Sequence, residues 1–366
     1  ITDTSNLVFG IGQTTNALRT VNANFGQRPF KYTPPTGYKK LNTFNLPDSS
    51  IVDGSENFNP VLYTGTGEIH NITGVGFQPD FTIVKSRSNV ASHNVYDSVR
   101  GIKKILITNG TDAEVTEPDN AGLDSFDTDG FTIDALEWLA DVNILGRTYV
   151  AWNWKANGTA VSNTAGTLTT TVSANPTAGF SIVKWTGTPS GTTMGHGLGA
   201  TPKVIISKPT STSGAWHSYF SEIPNMNNGY IVLESTAAFT TGITIWGGSP
   251  NTTTFTQVKS AYANLTGQTY IAYCFAEVEG YSKFGSYTGN GSADGPFVYT
   301  GFRPAWILVK CSSAAGQNWW VLDNKRNMYN LADLSLLPNS SSSELNNSTY
   351  FWADFLSNGF KLKSTG

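Results

Sequence analysis

The chain has 366 residues and a formal net charge of −3, and only 13% of its residues are charged. This weakly acidic balance, without long basic runs, excludes a surface built to bind nucleic acid. No apolar run approaches the roughly 18 residues that a membrane-spanning helix needs, so we expect no membrane insertion. Gly, Thr, Ser and Asn take the place of the missing charges, which predicts a surface of neutral hydrogen-bonding groups.

The chain begins with a segment, residues 1–50, that differs from the rest. Phe25–Phe30 and Tyr32–Tyr38 are rich in aromatic residues and proline, and Leu46-Pro47 follows them. This pattern predicts the closing strand and exit of a β domain whose earlier part is missing. The sequence opens at Ile1 without a methionine, and we expect it to be a fragment of a longer polypeptide.

After this segment, one sequence pattern occurs three times. Gly76–Lys85 returns as Gly199–Lys208 and again as Gly301–Lys310, each with proline in the fourth place and lysine in the tenth. An aromatic-Thr-Gly turn precedes each copy in the same register, at Tyr63-Thr64-Gly65, Trp185-Thr186-Gly187 and Tyr287-Thr288-Gly289. We therefore predict three homologous domains: residues 51–158, residues 179–280 after a Gly/Thr/Ser-rich linker at 159–178, and residues 281–366. Within the linker, Thr167–Val172 could form a small strand.

Within each copy the apolar segments are short, rich in β-branched and aromatic residues, and separated by Gly, Asn or Pro. In the first copy Phe81–Lys85 predicts a strand, Asn94–Arg100 its partner, Asp127–Ile133 a hairpin with an Asp-Gly turn, and Tyr149–Trp154 the closing strand. The prediction is an all-β protein of tandem β-sandwich (jelly-roll or lectin-like) repeats. The third copy stops before its closing strand, so we expect it to be incomplete and to have an unpaired sheet edge.

At this point the chain resembles a known family. Phe25–Phe30, Pro34–Leu41 and Asn45–Pro47 resemble the end of SPRY-like domains in large bacteriophage structural proteins. The repeated Gly-x-x-Pro strand, Tyr96–Gly101, and the sequence Gly-x-Thr-Tyr-φ-Ala-aromatic (φ apolar) are similar to the tandem repeats that follow such domains in many phages, marine and cyanobacterial ones included. The resemblance implies a virion protein at the tail or capsid surface, and it brings no catalytic residues with it.

Two acid–arginine pairs are the first candidates for a binding site. Asp97 with Arg100, and Asp323 with Arg326, share a spacing of three residues and follow the second strand of their copies. The planar arginine fork suits a sugar carboxylate or a phosphate. The alternative is a local ion pair that fixes a turn, and the loss of the pair in the second copy, where Tyr219–Glu222 stands, favours this alternative.

A third candidate is Trp246, which precedes Gly247-Gly248 and has no counterpart in the other copies, so its ring could stack on a sugar. Other polar clusters point to local structure. The aspartates at 119, 124, 127, 129 and 134 match no calcium-loop pattern, and the four histidines lack metal-ligand spacing. We expect no metal and no cofactor, and two buried free thiols at Cys274 and Cys311, with a disulfide as the alternative.

The function that these patterns favour is non-enzymatic. Five glutamates could contribute carboxylates to glycoside hydrolysis, but none lies in a recognisable motif: Glu68, Glu137, Glu222, Glu234 and Glu277. We expect a tail-fibre or adhesin-type component that attaches to the host, binds other virion proteins, forms a homo-oligomer and contacts a surface glycan. The alternatives are a purely architectural part of the capsid or tail, and a polysaccharide-degrading tail protein.

Overall fold

The computed structural model describes residues 32–33, 49–135, 139–189, 191–258, 260, 263–346 and 351–364. These residues form 26 β-strands, two short 3-10 turns and no α-helix, so the prediction of an all-β sandwich protein is confirmed. None of them belongs to a helix that is long and apolar enough to cross a membrane. The predicted SPRY-like remnant at 1–50 falls almost entirely outside the described residues. The chain from Ser49 onward forms one compact unit.

The first repeat is a sandwich of two antiparallel sheets. A six-stranded sheet has the order β1-β9-β3-β4-β5-β6, and a three-stranded sheet has the order β2-β8-β7. The predicted strands and the hairpin at Asp129-Gly130 are all present. The strands are β1 (Phe58–Thr64), β2 (His70–Thr73), β3 (Phe81–Ser86), β4 (His93–Asp97), β5 (Lys104–Ile107), β6 (Val115–Thr116), β7 (Leu123–Asp127), β8 (Gly130–Ile133) and β9 (Thr148–Trp154).

The second repeat has the same order of strands, with β12-β19-β14-β15-β16-β17 in the large sheet and β13-β18 in the small one. Residues 159–178, predicted as a linker, instead form β10 and β11, which extend the large sheet beyond β12 because their Thr- and Val-rich sequence pairs with it. The strands are β10 (Val161–Asn163), β11 (Thr170–Asn175), β12 (Phe180–Thr186), β13 (Thr192–Gly195), β14 (Pro202–Pro209), β15 (His217–Phe220), β16 (Gly229–Val232), β17 (Thr240–Thr241), β18 (Thr254–Gln257) and β19 (Thr269–Ala276).

The third repeat contains fewer strands. The pairs β21-β22 and β23-β24, joined by a single bridge between Val321 and Leu336, correspond to β3-β4-β5-β6, and β20-β26-β25 corresponds to β2-β8-β7. The described residues of this repeat form no equivalent of β1 or β9. Its strands are β20 (Phe297–Tyr299), β21 (Trp306–Lys310), β22 (Trp319–Asp323), β23 (Leu334–Ser335), β24 (Leu345–Asn346), β25 (Ala353–Leu356) and β26 (Gly359–Leu362).

The large sheet of the first repeat is buried on both faces. Along β9, Tyr149 and Ala151 point into the sandwich core, whereas Val150, Trp152 and Trp154 join a second cluster shared by all three repeats. In this shared cluster, which we call the hub, ring centroids lie 4.1 Å apart for Phe81 and Tyr273 and 5.7 Å apart for Trp154 and Trp306. The repeats are therefore packed on one another through their large sheets, rather than strung on flexible connections.

Backbone hydrogen bonds join each repeat to the next through the same two loops. The carbonyl two residues after each repeated lysine accepts from a neighbouring repeat: Glu114 N–H donates to Thr210 (2.8 Å), Phe239 N–H to Ser312 (2.9 Å) and Glu344 N–H to Arg87 (2.8 Å). The same loops also bond in the opposite direction, from Gly214 to Thr111 (2.8 Å), from Gly316 to Thr236 (2.9 Å) and from Ala91 to Ser341 (2.8 Å). The first repeat is thus joined to the second, the second to the third and the third back to the first. The three repeats form a closed ring.

Candidate functional site

The lysine that ends each repeated strand lies at a junction of the ring, with Lys85 and Lys208 buried and Lys310 partly buried. Lys208 Nζ donates to the carbonyl oxygens of Thr111 (3.1 Å) and Asp112 (2.7 Å) in the first repeat, and Lys310 Nζ donates to that of Thr236 (3.2 Å) in the second. Burial lowers the pKa of Lys85 and of Lys208 to about 8, because desolvation disfavours the charged form. Lys208 and Lys310 therefore hold a loop of the preceding repeat, whereas Lys85 Nζ donates to the carbonyl oxygen of Ser86 (2.6 Å) in its own strand.

Both predicted acid–arginine pairs are completely buried ion pairs. Arg326 Nε donates to Asp323 Oδ2 at 2.6 Å, and Arg100 Nε donates to Asp97 Oδ2 at 2.5 Å. The second carboxylate oxygen of each aspartate accepts from backbone N–H groups of its own turn, as at Arg326 (2.9 Å). The remaining guanidinium nitrogens of each arginine donate to a backbone carbonyl and to a glutamate, such as Glu344 at 3.2 Å. The arginine forks are fully used inside the protein.

Each aspartate also accepts a hydrogen bond from another repeat. The Tyr273 hydroxyl donates to Asp97 Oδ2 at 2.7 Å, and Trp152 Nε1 donates to Asp323 Oδ2 at 3.0 Å. Tyr273 and Trp152 hold the same place in β19 and β9. In the second repeat Phe220 occupies the position of this aspartate. The donor to that position would come from a closing strand of the third repeat, and no such strand is described. The acid–arginine pair is therefore absent from the repeat whose neighbour supplies no donor.

Trp246 does not form the predicted sugar-stacking site. Its side chain is 1% exposed and packs edge-on against Tyr219, with ring centroids 5.6 Å apart. The glycines at 247 and 248 do not expose the ring, and a buried ring offers no face to a sugar. Gly247 is required for another reason, because a Cβ there would lie 2.5 Å from the Thr256 side chain.

The other polar candidates stabilise turns. Asp129 accepts from the N–H groups of Gly74 (3.1 Å) and Gly76 (2.6 Å), and these hydrogen bonds lower its pKa. Among the described residues no group of three His, Cys, Asp or Glu side chains is arranged to hold a metal ion. Both cysteines are free. Cys274 is buried as predicted, but Cys311 is only partly buried.

Two exposed aromatic side chains on the third repeat were not predicted. Phe297 and Tyr299, which we call the aromatic face, lie on the outer side of β20 and are 45% and 64% exposed. β20 pairs with β26 as β2 pairs with β8, which places Asn71 and Thr73 of the first repeat at the equivalent positions. Aligning the three copies residue by residue would have shown this replacement of polar by aromatic side chains.

The aromatic face is bordered by backbone that leaves space for a ligand. Residues 285–301 contain five glycines, at 285, 289, 291, 295 and 301. The Phe297 ring lies over Gly359, where a Cβ would be 2.9 Å from the ring. Lys361, which lies opposite Phe297 on β26, forms an ion pair with the exposed Asp294. Flat apolar rings beside charged hydrogen-bonding groups are the combination that sugar-binding surfaces use.

A cleft of about 1480 Å³ lies beside the third repeat. It is lined by β21, by the segment 280–289, which forms no strand, and by hub side chains such as Trp154 and Tyr273. Its floor is apolar: Phe351 and Phe360 come from the core of the third repeat, and Phe220 comes from the second repeat. The cleft is therefore open along the edge of a β-sheet.

Fold and sites together define a ring of three β-sandwich repeats with a distinct third member. The chain belongs to the family described as a domain of unknown function (DUF7483), whose model matches residues 53–366. The match spans all three repeats. No curated protein and no solved structure matches the chain.

Proposed function

We propose that the chain is a non-enzymatic structural protein of a bacteriophage particle, displayed on its tail or capsid surface, and that it attaches the particle to a glycan of the host envelope. The observation that carries the glycan part is the aromatic face, Phe297 and Tyr299, on an otherwise polar type of strand. The phage part is supported by the resemblance of the repeats and of the N-terminal segment to phage structural proteins.

The physical basis is stacking of the apolar side of a sugar ring on an aromatic ring. A single such contact is weak, and a rigid carrier with few charges adds little long-range attraction. Binding through several copies on one particle would multiply the weak contacts, because the second contact is made at a high effective concentration. A homo-oligomer on the particle surface fits this requirement.

The test exchanges the aromatic face for its counterpart in the first repeat. The variants Phe297→Asn and Tyr299→Thr install the side chains that Asn71 and Thr73 provide on an equivalent strand. We expect the wild-type chain to bind a subset of bacterial surface glycans on an array, and the double variant to lose at least about tenfold in apparent affinity.

A matched control is Val90→Thr, which removes another exposed apolar side chain (70% exposed) from the first repeat and should leave glycan binding unchanged. Equal binding by wild type and double variant would reject the aromatic face as the site. Cryo-electron microscopy of the intact particle tests the location: density at a tail tip or fibre agrees with attachment, and density enclosed in the capsid wall or tail shaft contradicts it.

A second candidate function is a purely architectural role in the capsid or tail. The cleft favours it, since a sheet edge over an apolar floor is suited to contact with another polypeptide. This candidate expects no glycan binding, and it expects the third repeat to be covered in the particle.

A further inference from the structure

The first two repeats show what normally fills the position of the cleft. In the first repeat β9 lies between β1 and β3 and pairs with both along its whole length. In the second repeat β19 lies in the same way between β12 and β14. In the third repeat the segment 280–289 corresponds to β1 and β21 corresponds to β3, and both line the cleft. The cleft is therefore bordered by the same two segments that border the closing strand in the other repeats.

The exposure of β21 agrees with a missing neighbour. All but one of the side chains of β3 are buried, whereas on β21 only Ile307 is. Among the described residues β21 pairs with β22 alone, on its other side. Within the described part of the chain its other edge presents backbone N–H and C=O groups without a strand partner, which favour pairing with another strand.

The two surfaces of the cleft specify the side chains of such a strand. On β9, Tyr149 and Ala151 face the sandwich core and Trp152 faces the hub. In the cleft the core side is lined by Val298, Phe351 and Phe360, and the hub side by Leu308 and Phe220. The site is therefore apolar on both sides, with room for alternating large and small side chains.

We propose that the cleft binds one extended polypeptide strand, antiparallel to β21, with the sequence class Gly-x-Thr-Tyr-φ-Ala-aromatic that β9 and β19 share. The backbone edge supplies affinity, and the pockets for alternate side chains supply selectivity. Because Phe220 stands where the other repeats of the ring offer an aspartate, the strand needs no hydrogen-bond donor on its aromatic side chain there.

Two other occupants fit the site less well. A small apolar ligand would cover the floor but leave the backbone groups of β21 unpaired. A second copy of this chain would have to withdraw β9 or β19 from its own sheets, where each is paired on both sides and buried. We therefore assign the site to a separate polypeptide segment of this sequence class, which the binding test supplies in trans.

The test is titration of a synthetic peptide with the sequence of Gly146–Trp154 into the full chain by isothermal titration calorimetry, with amide hydrogen exchange as a second readout. We expect saturable binding at one site, and exchange on β21 slowed at least about tenfold while exchange on β3 and β14 stays unchanged. A control peptide with Ala151→Pro, which lacks one N–H, should bind at least about tenfold more weakly. A peptide with Trp152→Phe should bind as well as the original.

A variant of the protein gives an independent check. Leu308→Glu places a carboxylate beside the incoming aromatic side chain, and it should weaken peptide binding at least about tenfold. Val90→Glu, at an exposed site of the first repeat, should not change it. Thermal unfolding of both variants shows whether they are folded.

Four results would overturn the proposal. These are the absence of saturable binding, equal binding of the proline peptide, slowed exchange elsewhere than on β21, and a dimer of the free chain whose β21 amides are already protected.

Discussion

Asp97 and Asp323 show how a repeated motif can serve assembly within a chain. Each carboxylate accepts from an arginine, from its own turn and from a donor of another repeat. Buried charges are tolerated only when they are paired and hydrogen-bonded, and all these partners meet that condition. The spacing of three residues in the sequence predicted the ion pair, and the structure adds the donor from the neighbouring repeat.

The hydroxyl of Tyr273 is expected to contribute measurably to stability. Tyr273→Phe keeps the ring stacked on Phe81 but removes the donor to Asp97 Oδ2. The expected loss is about 1–2 kcal/mol in the free energy of unfolding, measured by urea denaturation. Tyr329→Phe, at a side chain that is 79% exposed, is the control and should change stability little. Equal effects of the two variants would argue against the inter-repeat bond.

His217 is expected to make the fold sensitive to acid. Burial, with a smaller contribution from Lys208, lowers the pKa of His217 to about 4. Between about pH 6.5 and pH 4 the unfolded chain binds a proton that the folded chain does not, so stability falls as the pH falls through this window. The free energy of unfolding of His217→Phe, measured between pH 7 and pH 4.5, should fall less steeply than that of wild type, by about 2 kcal/mol. Parallel curves would contradict this assignment.

At the scale of strands, the sequence was sufficient to predict where most strands lie, but it was insufficient to predict what covers their outer faces. Short β-branched runs and the Asp-Gly turn predicted β3, β4, the β7–β8 hairpin and β9, because local patterns determine them. The alternation along β9 could not show that both faces are buried, since the second face is covered by other repeats. The prediction for Trp246 was wrong for the same reason, since local sequence does not show what covers a side chain. The neighbouring Gly247 does allow a close approach, but the group that approaches is the Thr256 side chain and not a sugar.

The strand β10 was missed, and β11 was predicted only as a small strand at Thr167–Val172 within a linker, because the segment is rich in Gly, Thr, Asn and Ser. β11 pairs with β12 and β10 pairs with β11, a tertiary effect that local sequence does not encode. Conversely, the missing partner of β21 was foreseen, because the repeats supply the sequence of the closing strand and allow its absence to be noticed.

The β7–β8 hairpin is expected to depend on a glycine. Gly130 has φ of +139°, and a Cβ there would lie 1.9 Å from the carbonyl oxygen of Ile72 on β2. Gly130→Ala should cost about 3 kcal/mol or more, because it combines strain with a backbone clash. Gly146→Ala is the matched control: φ is +76° but no atom lies within 4 Å, so only about 1 kcal/mol is expected. Chemical denaturation of both variants measures the difference, and equal costs would show that the clash is relieved.

At the scale of the molecule, the ring makes the three repeats depend on one another. The junction between the third and first repeats contains Glu344, which accepts from Arg87 at 2.8 and 2.9 Å and from the buried Arg326 at 3.2 Å. The hub is shared by side chains of all three repeats. Local opening of one repeat would expose apolar surface on the other two, so the ring is expected to unfold as a unit.

Removal of the Glu344 carboxylate tests this coupling. Glu344→Ala leaves Arg326 short of a partner and should lower the Tm of one common transition by about 5 °C in scanning calorimetry. A variant at the exposed Met328 (70% exposed), Met328→Ala, is the control. Separate transitions for separate repeats, or a shift confined to one of them, would show that the repeats are energetically independent.

The contacts between repeats have a consequence for how many repeats such a chain can contain. Each junction is heterologous: the loop after the repeated lysine of one repeat meets a different loop of its neighbour. Rings of this kind close at a number fixed by the rotation at each junction. A shortened chain with two repeats would keep one unmatched copy of each loop surface, and a lengthened chain with four would have no place for its extra member. We therefore expect the repeat count to be set by the geometry of the junction, so that gain or loss of a single repeat changes how the molecule associates and not only its length.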